Sequence, residues 1–156
     1  MNTQHTPAKR PIPALRAAAG FTLVELIVTV AVFAILASIA IPSFQATMQR
    51  NRLATTANEL LAGIQAARSE ALRSNQTVRF CTTAANWQMT RQSDGTVLRQ
   101  GDISSQSTVG AFCADFRGDG LSYATDGTLM TNGNLPVTVG PHSKSLVVRL
   151  GSANVQ

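Results

Sequence analysis

Hydrophobic and polar positions divide the chain into three stretches with different periods. From Phe21 to Ile41 the residues are apolar almost without interruption, "FTLVELIVTVAVFAILASIAI", with one charge, Glu25, inside the run. From Leu53 to Ala71 the apolar positions Leu53, Ala57, Leu60, Ile64, Ala67 and Ala71 recur at alternating spacings of four and three. That spacing puts them on one helical face. Arg50, Glu59, Arg68 and Arg73 fall on other faces. The turn formers Ser74-Asn75 mark the end of this helix. Beyond them the period drops to two. In "TVRFC", Val78 and Phe80 share a side. "NWQMTRQSDGTVLRQ" reads as a hairpin with Trp87 and Met89 on one face and Asp94-Gly95 in the turn. "GLSYATDGTLM" has the same form, turning at Asp126-Gly127, and "LPVTV" and "SLVVRL" read as the last two strands, separated by "GPHSK". No internal repeat is visible, and the longest low-complexity stretch is the Ser/Gln/Gly loop from Gly101 to Ser107.

The pattern predicts an α+β chain: one long helix from Phe21 to about Ser74, then antiparallel strands over 76–156. A helix of about 54 residues would be roughly 80 Å long if continuous. Pro42 removes a helix hydrogen bond and crowds the preceding turn, so a kink or local melting is expected there. Of 156 residues, about 115 follow the apolar run, enough for one modest core and not for two.

A sequence pI near 10.2 invites a nucleic-acid reading, and the map of charges weakens it. Lys9, Arg10 and Arg16 all precede Phe21. From Ser43 onward ten basic residues face seven acidic ones, a net charge of about +3 with the signs mixed. A polyanion binder shows a denser basic cluster. The N-terminal excess has a simpler cause in membrane topology. A helix of 21 residues reaches about 31 Å, the thickness of a bilayer's hydrocarbon core. Basic residues before the span keep that end cytoplasmic, and the rest of the chain outside. A cleaved secretory signal is the competing reading. It would have a shorter apolar run and a small-residue cleavage site, whereas this run passes through Pro42 into more helical pattern. Neither a signal nor a plain anchor explains Glu25. A charge at the centre of a span costs about 2.5–3.5 kcal/mol on insertion scales, and less near its end. The carboxylate is either a tolerated interfacial charge or one that awaits a partner.

"GFTLVELIVTVAVFAILASIAIP" resembles the class III leader and N-terminal helix of type IV pilins and of the pseudopilins of type II secretion. Gly20 stands before the family's cut, Phe21 after it, Glu25 fifth in the mature chain and Pro42 at the far end of the span. The resemblance implies a leader over 1–20, a transmembrane assembly helix over 21–42, its continuation over 43–75 and a periplasmic β domain over 76–156. It implies cleavage between Gly20 and Phe21 by a prepilin peptidase and N-methylation of Phe21. It also implies that Glu25 pairs with the N-terminal amine of a neighbouring subunit. A carboxylate in low dielectric gains most from such an opposite charge. The expected location is the inner membrane, single-pass, with entry into a filament on assembly.

"NRLATTANELLAGIQAARSEALRSNQTVRFC" and "YATDG" (Tyr123 to Gly127) are similar to the GspH/FimT group of minor pseudopilins and minor pilins. Asn51, Leu53, Leu60, Ala67, Arg68, Ser69, Glu70 and Ala71 carry the helical part of the match. The group implies two small antiparallel sheets beside the second half of the helix. The implied function is a minor pilin or pseudopilin that primes or caps a filament, with other pilin subunits as partners and no catalysis. The alternative is a filament-borne DNA-binding subunit. Members linked to DNA uptake tend to carry a Gly-Arg-x-Arg segment. Here "GSANV" places Ser152 and Asn154 at those positions, leaving Arg149 as the nearby cation. Losing two cations removes about two phosphate contacts, so DNA is a weaker expectation.

Cys81 and Cys113 both follow the span. An oxidising periplasm allows a disulfide between them, the alternative being two buried thiols. With no second pair they do not make a zinc site. His142 lies in the expected "GPHSK" turn and reads as a solvated loop residue. Asp115, Asp119 and Asp126 offer hard oxygens suited to calcium, but their spacing is not that of an EF-hand loop and Asp-Gly pairs are ordinary turn chemistry. No cofactor is expected.

Overall fold

The computed structural model describes residues 20–150 and 152–156. The basic residues Lys9, Arg10 and Arg16, with most of the expected leader, lie outside the described residues. The chain divides into two compact units, the first ending at Ala40 and the second covering Ile41–Gln156.

Helix α1 spans Leu23–Ser74, 52 residues with Pro42 inside them. It starts two residues later than the apolar run because Thr22 caps it. The Thr22 hydroxyl accepts a hydrogen bond from the Glu25 N–H at 3.2 Å, satisfying one of the donors a helix leaves unpaired at its first turn. Pro42 does not end the helix, contrary to the melting its chemistry allows, since the bonds of the turns on either side carry the ladder past one missing donor. The C-terminus falls where expected. Asn75 takes φ 54°, a left-handed position that Asn tolerates better than most residues. Arg73, in the last turn, complements the negative end of the helix dipole.

The second half of α1 buries Leu53, Thr56, Ala57, Leu60, Gly63, Ile64, Ala67 and Ala71, including every position of the predicted stripe. Small residues recur in it because the sheets come close. A Cβ added to Gly63 would sit 2.8 Å from the Phe80 ring and 3.2 Å from Trp87. Glycine costs about 1 kcal/mol inside a helix, and here the aromatic pair, stacked with ring centres 5.7 Å apart, requires it.

Among the described residues nine strands follow: β1 (Val78–Thr82), β2 (Asn86–Arg91), β3 (Val97–Asp102), β4 (Thr108–Val109), β5 (Phe112–Phe116), β6 (Ser122–Tyr123), β7 (Gly133–Val139), β8 (His142–Arg149) and β9 (Ser152–Val155). They form a five-stranded sheet in the order β3-β2-β1-β5-β6 and a four-stranded sheet in the order β4-β7-β8-β9, antiparallel throughout. Phe80, Phe116, Leu135, Val137, Leu146 and Val148 from the two sheets join Leu60 and Ile64 of α1 in one buried cluster. The β2–β3 hairpin forms as expected, with Trp87 and Met89 buried.

Several strand expectations need correction. The stretch around Cys113, not assigned to a strand above, is a full strand, β5, lying between β1 and β6 in its sheet. The hairpin read into "GLSYATDGTLM" shrinks to the two residues of β6 and a Tyr123–Leu129 bridge. The turn before β8 is only Gly140-Pro141, so His142 opens the strand opposite Val139 instead of lying in a loop. "SLVVRL" is not the last strand, because β9 folds back on it. The loop after β3 is anchored: Ile103 is buried, and the Ser107 hydroxyl lies 3.1 Å from that of Thr56 on α1.

Candidate functional site

The first unit presents an apolar surface with one acid in it. Phe21, Leu23, Val24, Leu26 and Ile27 are all more than half exposed, Phe21 at 84%. The most apolar window of α1 has a mean hydropathy of 2.6 and none of it is buried within the protein. A surface of this kind is stable only against lipid or another apolar partner. Glu25 lies exposed in the first turn of α1. Thr22-Leu23-Val24-Glu25 has the Ser/Thr-x-x-Glu spacing of a capping box, with Thr22 as the cap. The carboxylate therefore sits at the positive end of the helix dipole. This local reason for an acid was legible in the sequence through that spacing, which the reading of Glu25 as a lone charge overlooked. Gly20, Phe21 and Glu25 stand together at the start of α1, and Pro42 lies well along it.

In the second unit the candidate residues are scattered. Cys81 and Cys113 face each other across β1 and β5 and are joined by a disulfide, with Cα atoms 4.2 Å apart. On the same side of the sheet Arg79 forms a two-bonded ion pair with Asp115, at 2.6 and 2.8 Å. Asp119 accepts from the Leu121 N–H and from the Tyr123 hydroxyl, and Asp126 from the Thr128 N–H and hydroxyl. The three aspartates thus serve separate bonds, Asp115 across to β1 and Asp119 and Asp126 within their own turns, and do not converge. Arg149 is exposed and donates to the Asn132 side chain at 3.3 Å, and Ser152 and Asn154 are exposed on β9.

Residues 56–153 match the family described as Type II transport protein GspH. The chain belongs to the GspH family. Residues 15–41 match the prokaryotic N-terminal methylation motif, so both parts of a pilin-like protein are present. Two crystal structures of the type IV minor pilin FimU from Pseudomonas aeruginosa share the fold. One aligns with a TM-score of 0.58 at 18% identity, over 70% of this chain and 92% of that one. The other aligns at 0.55 and 18%, over 67% and 92%. No curated protein matches the sequence.

The GspH-type "YATDG" stretch has a clear electrostatic role. The Tyr123 hydroxyl donates to Asp119 at 2.6 Å, and the Arg117 guanidinium lies 3.9 Å over the ring. The bond to Asp119 holds the Tyr123 phenol above its ordinary value of 10.0. The same bond, then the Leu121 N–H, holds the Asp119 carboxyl below its ordinary 3.8. A raised phenol pKa contributes stability below pH 10 that is lost as pH rises through the folded value, and a lowered carboxyl pKa contributes stability lost as pH falls through its folded value. Tyr123 is the chain's one tyrosine, so phenolate absorbance reports on it alone. Its midpoint should lie above 10, and Asp119→Asn should move it down. A wild-type midpoint at or below 10 would contradict the bond.

Proposed function

We propose that this protein is a minor pilin-type subunit that primes or caps a type II secretion pseudopilus or a type IV pilus, acting by assembly and not by catalysis. The observation that carries the reading is the single exposed carboxylate, Glu25, in the first turn of an unburied apolar helix five residues after Gly20. A prepilin peptidase would cut between Gly20 and Phe21, and Phe21 would be N-methylated. The freed amine of one subunit would then meet Glu25 of the next at similar membrane depth, pairing two charges that are costly apart. The basic residues before Phe21 would hold that end in the cytoplasm and leave the β domain in the periplasm. Pro42, at the end of the span, is where the helix has a missing donor to give when packed in a filament.

DNA binding ranks lower. Arg73, Arg79 and Arg91 are each paired with an acid. Arg149 is bonded to Asn132, and its neighbours on β9, Ser152 and Asn154, are uncharged.

Processing tests the proposal. The intact mass of membrane-extracted protein should correspond to a chain beginning at Phe21 and bearing one methyl group. Finding the leader still attached in cells with an active prepilin peptidase would remove the basis of the reading.

A further inference from the structure

Strand β9 ends the four-stranded sheet and has β8 as its strand neighbour. Ser145 and Gln156 exchange two hydrogen bonds, at 2.8 and 3.1 Å. Bonded and non-bonded pairs alternate along an antiparallel ladder. Counting along the register, Val147–Asn154 and Arg149–Ser152 are bonded pairs, while Leu146–Val155 and Val148–Ala153 are not. The N–H and C=O groups of Ala153 and Val155 therefore point away from β8, toward the open edge.

The other sheet edges are protected. β4 and β6 are two residues long. β3 carries Arg99 and Asp102, and its pairing shifts register beside Thr90. Short length, charge and irregularity each discourage pairing with another strand. β9, Ser-Ala-Asn-Val, has four residues, no charge and no proline. Beside it lies a groove of about 370 Å³, lined by Ile64, Gln65, Arg68, Ser69 and Leu72 of α1 and by Ser152 and Ala153. Ile64, Arg68 and Leu72 are spaced four apart, on one face of α1, and cover about 12 Å of helix, the reach of roughly four extended residues. Leu72 is 49% exposed. Arg68 donates to the Gly120 carbonyl at 3.0 Å, and among the described residues no carboxylate pairs with it.

We propose that the open edge of β9 and this groove bind an extended segment of a partner protein, which adds to the sheet as a fifth strand. The unpaired N–H and C=O groups require an extended backbone. Leu72 calls for an apolar side chain on that segment, and Arg68 for a carboxylate. A second copy of β9 does not meet this description, since it is uncharged and brings a second Arg68 with it.

The test uses the full chain in detergent micelles and a capped peptide of alternating valine and threonine with a central glutamate. Saturating peptide should slow hydrogen exchange at the Ala153 and Val155 amides about tenfold or more. Replacing the glutamate by lysine should weaken binding about tenfold, as should Arg68→Gln in the protein. Ala153→Pro removes a donor at the open edge and none used by β8, so it should abolish binding while leaving the β8–β9 amides protected. Three results would overturn the proposal: neither amide slowed by the peptide, binding unaffected when alternate peptide amides are N-methylated, or protection that appears without peptide and grows with protein concentration, which is self-pairing.

Discussion

Glu25→Val should leave membrane insertion intact or improved and reduce incorporation into filaments by about tenfold or more, as expected when one member of a desolvated ion pair is removed. The direction of the two effects is what makes the result informative. Valine lowers the cost of placing this turn in the hydrocarbon region. It also removes the one anion on the exposed surface of the apolar segment. Glu25 is the third residue of α1, and Thr22 caps its N–H, a bond that valine keeps because it uses the backbone. The helix start should survive, with a loss of only about 0.3–1 kcal/mol of dipole stabilisation. Comparing the variant's amount in membranes with its amount in sheared filaments separates insertion from assembly. Normal incorporation would show that the carboxylate serves the helix terminus alone.

The double change Cys81→Ser, Cys113→Ser should cost the β domain about 3–4 kcal/mol, on the chain-entropy estimate for a loop of this length. Thermal unfolding followed by circular dichroism should shift down by roughly 10–20 °C. The cysteines are 32 residues apart in sequence and directly opposed on β1 and β5, two neighbours inside the five-stranded sheet. The bridge therefore holds a long-range pairing that no turn specifies. Both side chains are half-buried on the side of the sheet away from Phe80 and Ala114, so serine fits without emptying the core. A shift under about 3 °C would mean that the remaining contacts of β1 and β5, including the Arg79–Asp115 ion pair, hold the register unaided.

The candidate residues at the start of the apolar helix could be picked out because they lie within six residues of one another. Gly20, Phe21 and Glu25 take their meaning from spacing along one helix start, and spacing is visible in a sequence. The capping role of Thr22 was legible by the same logic, through Ser/Thr-x-x-Glu. The groove beside β9 was not legible. Its two sides come from residues 64–72 and 152–153, and nothing local relates them. The neutrality of Ser152 and Asn154 could be read directly. That they lie on an edge strand could not, because "GSANV" has no hydrophobic alternation strong enough to announce a strand.

What the sequence by itself determined is everything that depends on near neighbours. The stripe from Leu53 to Ala71 is buried at each predicted position, since helical periodicity is a property of residues three and four apart. The β2–β3 hairpin and the end of α1 follow from short-range turn chemistry at Asp94-Gly95 and at Asn75. Only the tertiary structure decided that β1 pairs with β5, that Cys81 therefore meets Cys113, that His142 joins a strand, and that Gly63 must lack a side chain. Each of these is settled by a partner distant in sequence. Strand pairing satisfies backbone donors and acceptors wherever the fold brings them together. A two-residue strand such as β4 or β6 has no period to read, and the room at Gly63 is set by the Phe80 and Trp87 rings arriving from β1 and β2.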